Sequence, residues 1–151
     1  YQTEQICKLA IKNNWKALKY VKNQTDKICL LAVNNDWKAI KYVKNRTDEI
    51  CLLAVKSNCM ALLFAKNQTH EICLLAVKQN GLLLKYINEE NRTLEICLEA
   101  VFNFVPGSHR RELTIREMEE YIPWELQDII IKYKNKLDEY KIKHLLNKTY
   151  F

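Results

Sequence analysis

Apolar and polar residues alternate in blocks along this chain, and the blocks recur. The stretch from Thr25 to Asn45 reads T-D-K-I-C-L-L-A-V-N-N-D-W-K-A-I-K-Y-V-K-N. Thr3, Thr25, Thr47 and Thr69 stand at equal steps, and 25 − 3 gives a period of 22 residues. Cys7, Cys29, Cys51 and Cys73 keep that step; a fifth copy starts at Thr93 and Cys97, two residues late, after the longer loop Asn88-Glu89-Glu90. A fixed period in this range predicts a stacked repeat architecture.

Each copy predicts two helices. Thr25 is a good N-cap and Asp26 favours the positive end of the helix dipole. The unbroken run Ile28 to Val33 shows no alternation, so it predicts a buried helix that Asn34-Asn35 ends. The second helix spans about Trp37 to Lys44. Trp37, Ile40 and Val43 face inward, and Lys38, Lys41 and Lys44 occupy the outer side at the same spacing. Neither helix is long enough to stand alone, so each must bury its faces against neighbouring copies. The expected fold is all-α: an α-solenoid of 22-residue helix–turn–helix repeats over 1–104, with a C-terminal helical cap or module over 105–151. With helices about 8–10 Å apart, five copies span roughly 40–50 Å.

The ends differ from the middle. Lys8 replaces the leucine found at 30, 52, 74 and 98, which predicts a solvated outer face on a terminal capping repeat. Glu99 replaces the leucine found at 31, 53 and 75. The period stops after Phe104, at the breaker Val105-Pro106-Gly107-Ser108. Thr114 with Glu117 forms a capping box, and Pro123 opens a longer helix with apolar positions Leu126, Ile130, Tyr133, Leu137, Tyr140 and Leu145.

Composition adds limits. The 151 residues suffice for one sizeable core, and the two Gly and two Pro suit a helical protein. No apolar run reaches membrane-span length, so no membrane partner is expected. Net charge is +6, carried mainly by lysine. Lys, Asn, Ile and Tyr are all abundant, a bias that an AT-rich genome produces.

Five of the six cysteines recur once per repeat, which predicts buried free thiols and a reducing compartment. A serine at Cys29 or Cys51 would place an unpartnered hydroxyl in the core, at a cost of about 1–3 kcal/mol. The sequons at Asn23, Asn45, Asn67 and Asn91 read as inter-repeat turns in which the following Thr caps a helix; Asn147-Lys148-Thr149 also matches. His70, His109 and His144 have no metal-ligand spacing, and no phosphate loop or nucleophile motif occurs. No enzyme activity, cofactor or metal is expected.

Two surfaces stand out. Lys16, Lys19, Lys22, Lys38, Lys41 and Lys44 form a basic ridge. Met60 and Leu63 replace its lysines in the third repeat and Leu82 follows in the fourth, giving an apolar partner patch unless the C-terminal segment covers it. The ridge could bind nucleic-acid phosphates, although arginine is scarce and no exposed aromatic set for base stacking is expected.

Thr47 to Lys56 (T-D-E-I-C-L-L-A-V-K) and Trp15 to Thr25 (W-K-A-L-K-Y-V-K-N-Q-T) resemble the short tandem repeats of giant DNA viruses of amoebae (mimivirus-like), a family of unknown function. The similarity spans about two thirds of the chain and implies no activity; the composition agrees with it. Ile122-Pro123-Trp124-Glu125-Leu126, followed by Ile130 and Ile131, resembles the opening of F-box motifs, L-P-x-E-L/I-x-x-x-I-L, although Lys134 stands where an apolar residue is usual. Poxvirus ankyrin proteins carry a similar segment after their repeats. That resemblance implies recruitment of a Skp–cullin ubiquitin ligase through Pro123, Leu126 and Ile130. The expectation is a non-enzymatic protein–protein interaction scaffold, in the cytoplasm of an infected host or in a virion, with nucleic-acid binding and F-box-like adaptor function as the alternatives.

Overall fold

The computed structural model describes residues 2–103, 118 and 120–133. Among them the chain is all helical, with no strand. Five α-helices, α1 (Glu4–Asn13), α2 (Asp26–Asn35), α3 (Asp48–Ser57), α4 (His70–Gln79) and α5 (Leu94–Phe102), are separated by short 3-10 helices. These are Trp15–Tyr20, Trp37–Tyr42, Cys59–Phe64, Gly81–Tyr86 and, in the longer loop, Glu89–Asn91. A sixth α-helix, α6, occupies 124–133. The breaker at 105–108, the Thr114–Glu117 box and the positions from Leu137 onward lie outside the described residues.

Each α-helix starts as the sequence requires. Thr3, Thr25, Thr47, Thr69 and Thr93 are the N-caps, and each side chain accepts the N–H three residues on. That bond satisfies one of the four donors a helix start leaves free. The ends differ from expectation. Asn34 and Asn35 lie inside the last turn of α2, and the break falls at Asp36. Asp36 has an extended backbone and serves two helices. Its N–H donates to the Ala32 carbonyl, closing α2, while its carboxylate accepts the Lys38 N–H at 2.9 Å and opens the next helix. Asn14, Asn58 and Asn80 do the same in their repeats.

The second helix is a 3-10 helix of six residues, shorter and tighter than the expected 37–44. Its sequence explains why. At three residues per turn, side chains at i and i+3 eclipse. Trp37, Ile40 and Val43 therefore form one column: Trp37 is half-buried, and Ile40 and Val43 are buried. Lys38, Lys41 and Lys44 form another, and all three are exposed.

Packing is sequential. Each α-helix contacts the next, and each of the four six-residue 3-10 helices contacts the α-helix of its own repeat and that of the following one. In α2 to α4 the Ile, Cys, Ala and Val of the repeat are buried on two adjacent ridges, Ile28, Cys29, Ala32 and Val33 in α2 for example. Each fully buried aliphatic side chain contributes about 1.5–3 kcal/mol relative to exposure.

The first repeat corrects the expectation of a polar capping face. Ile6 is 56 % exposed and Leu9 63 %, whereas Ile28, Ile50, Ile72 and Ile96 at the Ile6 position are 0–2 % exposed. The side that the preceding helix covers in α2 to α5 is open in α1. Lys8 does not solvate that face; it lies back along the helix against Glu4, at 2.6 Å, and holds the Glu4 carboxyl below its usual range.

Candidate interaction surface

Side chains from the inter-repeat turns hold neighbouring 3-10 helices in register. The Gln24 Nε2 donates to the Leu18 carbonyl of its own repeat and to the Tyr42 carbonyl of the next, at 3.1 and 3.0 Å. Its Oε1 accepts the Lys44 N–H at 2.9 Å. Gln2 repeats the bridge with Tyr20 and Lys22, and Gln68 with Tyr86 and Asn88. An arginine has donors only and cannot accept that N–H. Arg46 accordingly stays on its own repeat, with its Nε on the Ile40 carbonyl at 3.1 Å. Sequence reasoning saw these residues only as the middle of a turn. The signal was there: every Asn-X-Thr turn of the repeats places a long amide or guanidinium at X.

On this frame the basic ridge is fully exposed: Lys16, Lys19, Lys22, Lys38, Lys41 and Lys44 all face solvent. No carboxylate pairs with any of them among the described residues. Lys44 is tied down, its Nζ donating to the Lys22 carbonyl of the preceding repeat at 2.9 Å. Three others stand over rings: Lys16 over Trp15 at 5.7 Å, Lys19 over Tyr20 at 4.5 Å and Lys41 over Phe64 at 5.5 Å. The Tyr20 hydroxyl pushes the Lys19 pKa up. Against the expectation of no exposed aromatic set, one ring on the ridge, Tyr20, is exposed, while Trp15 and Tyr42 are half-buried. Tyr20 is 68 % exposed, Tyr86 is exposed with Lys85 over its ring, and Trp15 and Tyr42 pair across repeats with ring centroids 6.1 Å apart. Tyr42 and Phe64 hold the same position in the next two repeats and are half-buried, Tyr42 against the Trp15 ring of the preceding repeat; among the described residues no such ring lies against Tyr20.

The apolar substitutions lie on the same outer face. Met60, Leu63 and Leu82 are 39 %, 46 % and 39 % exposed. Met60 and Leu82 occupy the Lys16 and Lys38 position of successive repeats. Leu82 and Leu84 also line a cavity of about 220 Å³ with Met118 and Tyr121, so the C-terminal segment reaches the fourth repeat there. Arg92 holds that segment: its Nη1 donates to the Tyr121 carbonyl at 3.2 Å and its guanidinium stands 5.9 Å from the Tyr121 ring. Of the adaptor trio, Pro123 and Leu126 are half-buried, Leu126 packs on the core and Ile130 is 3 % exposed. Tyr133, expected on the apolar side of that helix, is 55 % exposed instead.

The repeated thiols are buried and all six cysteines are free. Desolvation pushes Cys73 and Cys97 up to about 11 and raises Cys29 and Cys51 as well. A thiol held protonated is a poor nucleophile. At Cys29 the expectation of a partnerless site is corrected, since its Sγ lies 3.9 Å from the Gln24 Oε1; the Cys73 and Cys97 Sγ atoms lie 3.6 and 3.7 Å from the Gln68 and Arg92 carbonyls. Among the described residues no group of three or more His, Cys, Asp or Glu could hold a metal ion, and no helix is long and apolar enough to cross a membrane.

Residues 47–92 match a family described as a domain of unknown function, DUF4116. The matched stretch takes in α3, α4 and the 3-10 helices after them. No curated protein and no solved structure matches the chain.

Proposed function

We propose that the chain is an α-solenoid interaction scaffold without catalytic chemistry of its own, which presents the outer side of its 3-10 helices to a protein partner. The observation that carries this reading is a contrast within one repeat. Beneath the surface, Ala61 and Leu62 keep the burial of Ala39 and Ile40, while above them Met60 and Leu63 replace exposed lysines by exposed apolar groups. A constant core under a changing surface is how stacked repeats acquire binding faces. The open Ile6 side of α1 supports the solenoid geometry, since it is the side that a stacked neighbour covers elsewhere in the array. The viral setting, in an infected cytoplasm or a virus particle, rests on the repeat resemblance and the AT-rich composition.

The test restores the lysines. Crosslinking with mass spectrometry on the full chain identifies neighbours, and the Met60→Lys, Leu63→Lys variant is compared with the native chain. The reading expects specific neighbours that the variant loses while its helical signal stays. An unchanged set of neighbours removes the patch from the interface.

The adaptor reading has less support. An F-box-like contact through Pro123, Leu126 and Ile130 needs Ile130 free to enter an adaptor, and Ile130 is buried.

A further inference from the structure

The basic charge of this chain is concentrated on its first two repeats. Residues 15–24 carry Lys16, Lys19 and Lys22 with no acid, and residues 36–46 carry Lys38, Lys41, Lys44 and Arg46 against Asp36 alone. Asp36 is occupied as a helix cap, its carboxylate accepting the Lys38 N–H. The other acids of these repeats, Glu4 and Asp26, sit in the first turns of the α-helices. The two 3-10 helices contact one another, so equivalent lysines stand side by side: Lys16 with Lys38, and Lys19 with Lys41. Aromatic rings are interleaved with them. Tyr20 exposes 68 % of its surface beside Lys19, and the half-buried Trp15 ring has Lys16 and Tyr42 near it, at 5.7 and 6.1 Å.

We infer that this face binds single-stranded nucleic acid, with backbone phosphates at Lys16, Lys19, Lys38 and Lys41 and a base stacked on Tyr20. Uncompensated lysines supply the attraction to phosphate, and the exposed ring supplies a platform that any unpaired base can use. A duplex keeps its base faces stacked inside and cannot engage Tyr20 in this way. The residues it uses lie on the first two repeats, next to Met60 and Leu63 of the third, and substituting them leaves Met60, Leu63 and Leu82 in place, so its test is separate from that of the scaffold reading.

The test uses the full chain with fluorescein-labelled 20-nucleotide oligo(dT) and oligo(U), followed by anisotropy across a potassium chloride series. Log affinity should fall linearly with log salt, with a slope of about −3 for four phosphate contacts on a single strand. Combining Lys19→Glu and Lys41→Glu should weaken binding at least about tenfold and flatten that slope. Tyr20→Ala should weaken it by about 5- to 150-fold and leave the slope alone. Lys78→Glu, an exposed lysine in the last turn of α4, should change neither. These residues are exposed, so far-UV circular dichroism should be unaltered in every variant. A flat salt response, an equal loss from Lys78→Glu, or equally tight binding to a duplex or to phosphatidylserine vesicles overturns the inference.

Discussion

Gln24 and Lys44 belong to consecutive repeats, and the side chain of the first completes the backbone of the second: the Gln24 Oε1 accepts the Lys44 N–H at 2.9 Å. The same amide donates to the Tyr42 carbonyl, so one side chain closes both ends of a gap between two 3-10 helices. Gln24→Leu removes these two bonds and the one to the Leu18 carbonyl, and should lower stability by about 1–3 kcal/mol. Arg46→Gln should act in the opposite sense, adding about 0.5–1.5 kcal/mol by supplying the acceptor that arginine lacks. Urea midpoints at constant m-value measure both. A neutral Gln24→Leu would mean that the bridge contributes nothing to coupling.

The two isoleucines Ile6 and Ile50 occupy one position in two repeats but differ in exposure, 56 % against 0 %. Ile50→Ala should cost about 2–5 kcal/mol, as a buried truncation does, and Ile6→Ala less than about 1 kcal/mol. Equal losses in thermal or urea unfolding would contradict the open face of α1.

Much of this was legible in the residues, and the rest was hidden for physical reasons. The Thr–Cys period located all five α-helices, because a cap followed by an unbroken apolar run leaves little choice. The threes of Trp37, Ile40 and Val43 suit a 3-10 helix, but the buried pair Ala39 and Val43 at i, i+4 suits an α-helix equally, so the spacing reads as an ordinary amphipathic helix. The double role of Asp36 and the bridging role of Gln24 could not be read locally, since their partners are set by backbone geometry. Lys8 misled because a charge at a position that the other repeats give to leucine suggests a solvated face. Its side chain turned along the helix to Glu4, and the exposed face proved to hold Ile6 and Leu9.

Titration of the buried thiols gives a pH dependence. The Cys73 and Cys97 pKa values are raised from 9.0 to about 11 by burial. Their neutral form is favoured in the fold, so the stability they contribute is complete below about 9 and is lost as pH rises from about 9 towards 11. Thermal unfolding between these limits should fall less steeply in a Cys73→Ala, Cys97→Ala variant than in the native chain. Identical slopes would show that these thiols ionise equally in both states.

Arg92 ties the fifth repeat to the C-terminal segment through the Tyr121 carbonyl. Arg92→Met keeps much of the apolar stem and removes this bond together with the one its Nε donates to the Ile87 carbonyl at 2.8 Å, at a cost of about 1–3 kcal/mol for each carbonyl left unpaired. Hydrogen exchange over 120–133 should quicken while α1 to α3 keep their protection. Unchanged exchange over 120–133 would show that Arg92 is not what holds the segment.

Stacking is the central claim, and lengthening the array tests it most directly. A second copy of residues 25–46 is inserted after Arg46, and small-angle X-ray scattering compares the two chains. If each repeat contacts only its neighbours, the added copy occupies one further position, and the maximum dimension should grow by about 8–10 Å, one helix spacing, with the cross-section unchanged. A longer chain that keeps the native maximum dimension and thickens instead, or that loses its compact scattering altogether, contradicts the stacked-repeat architecture.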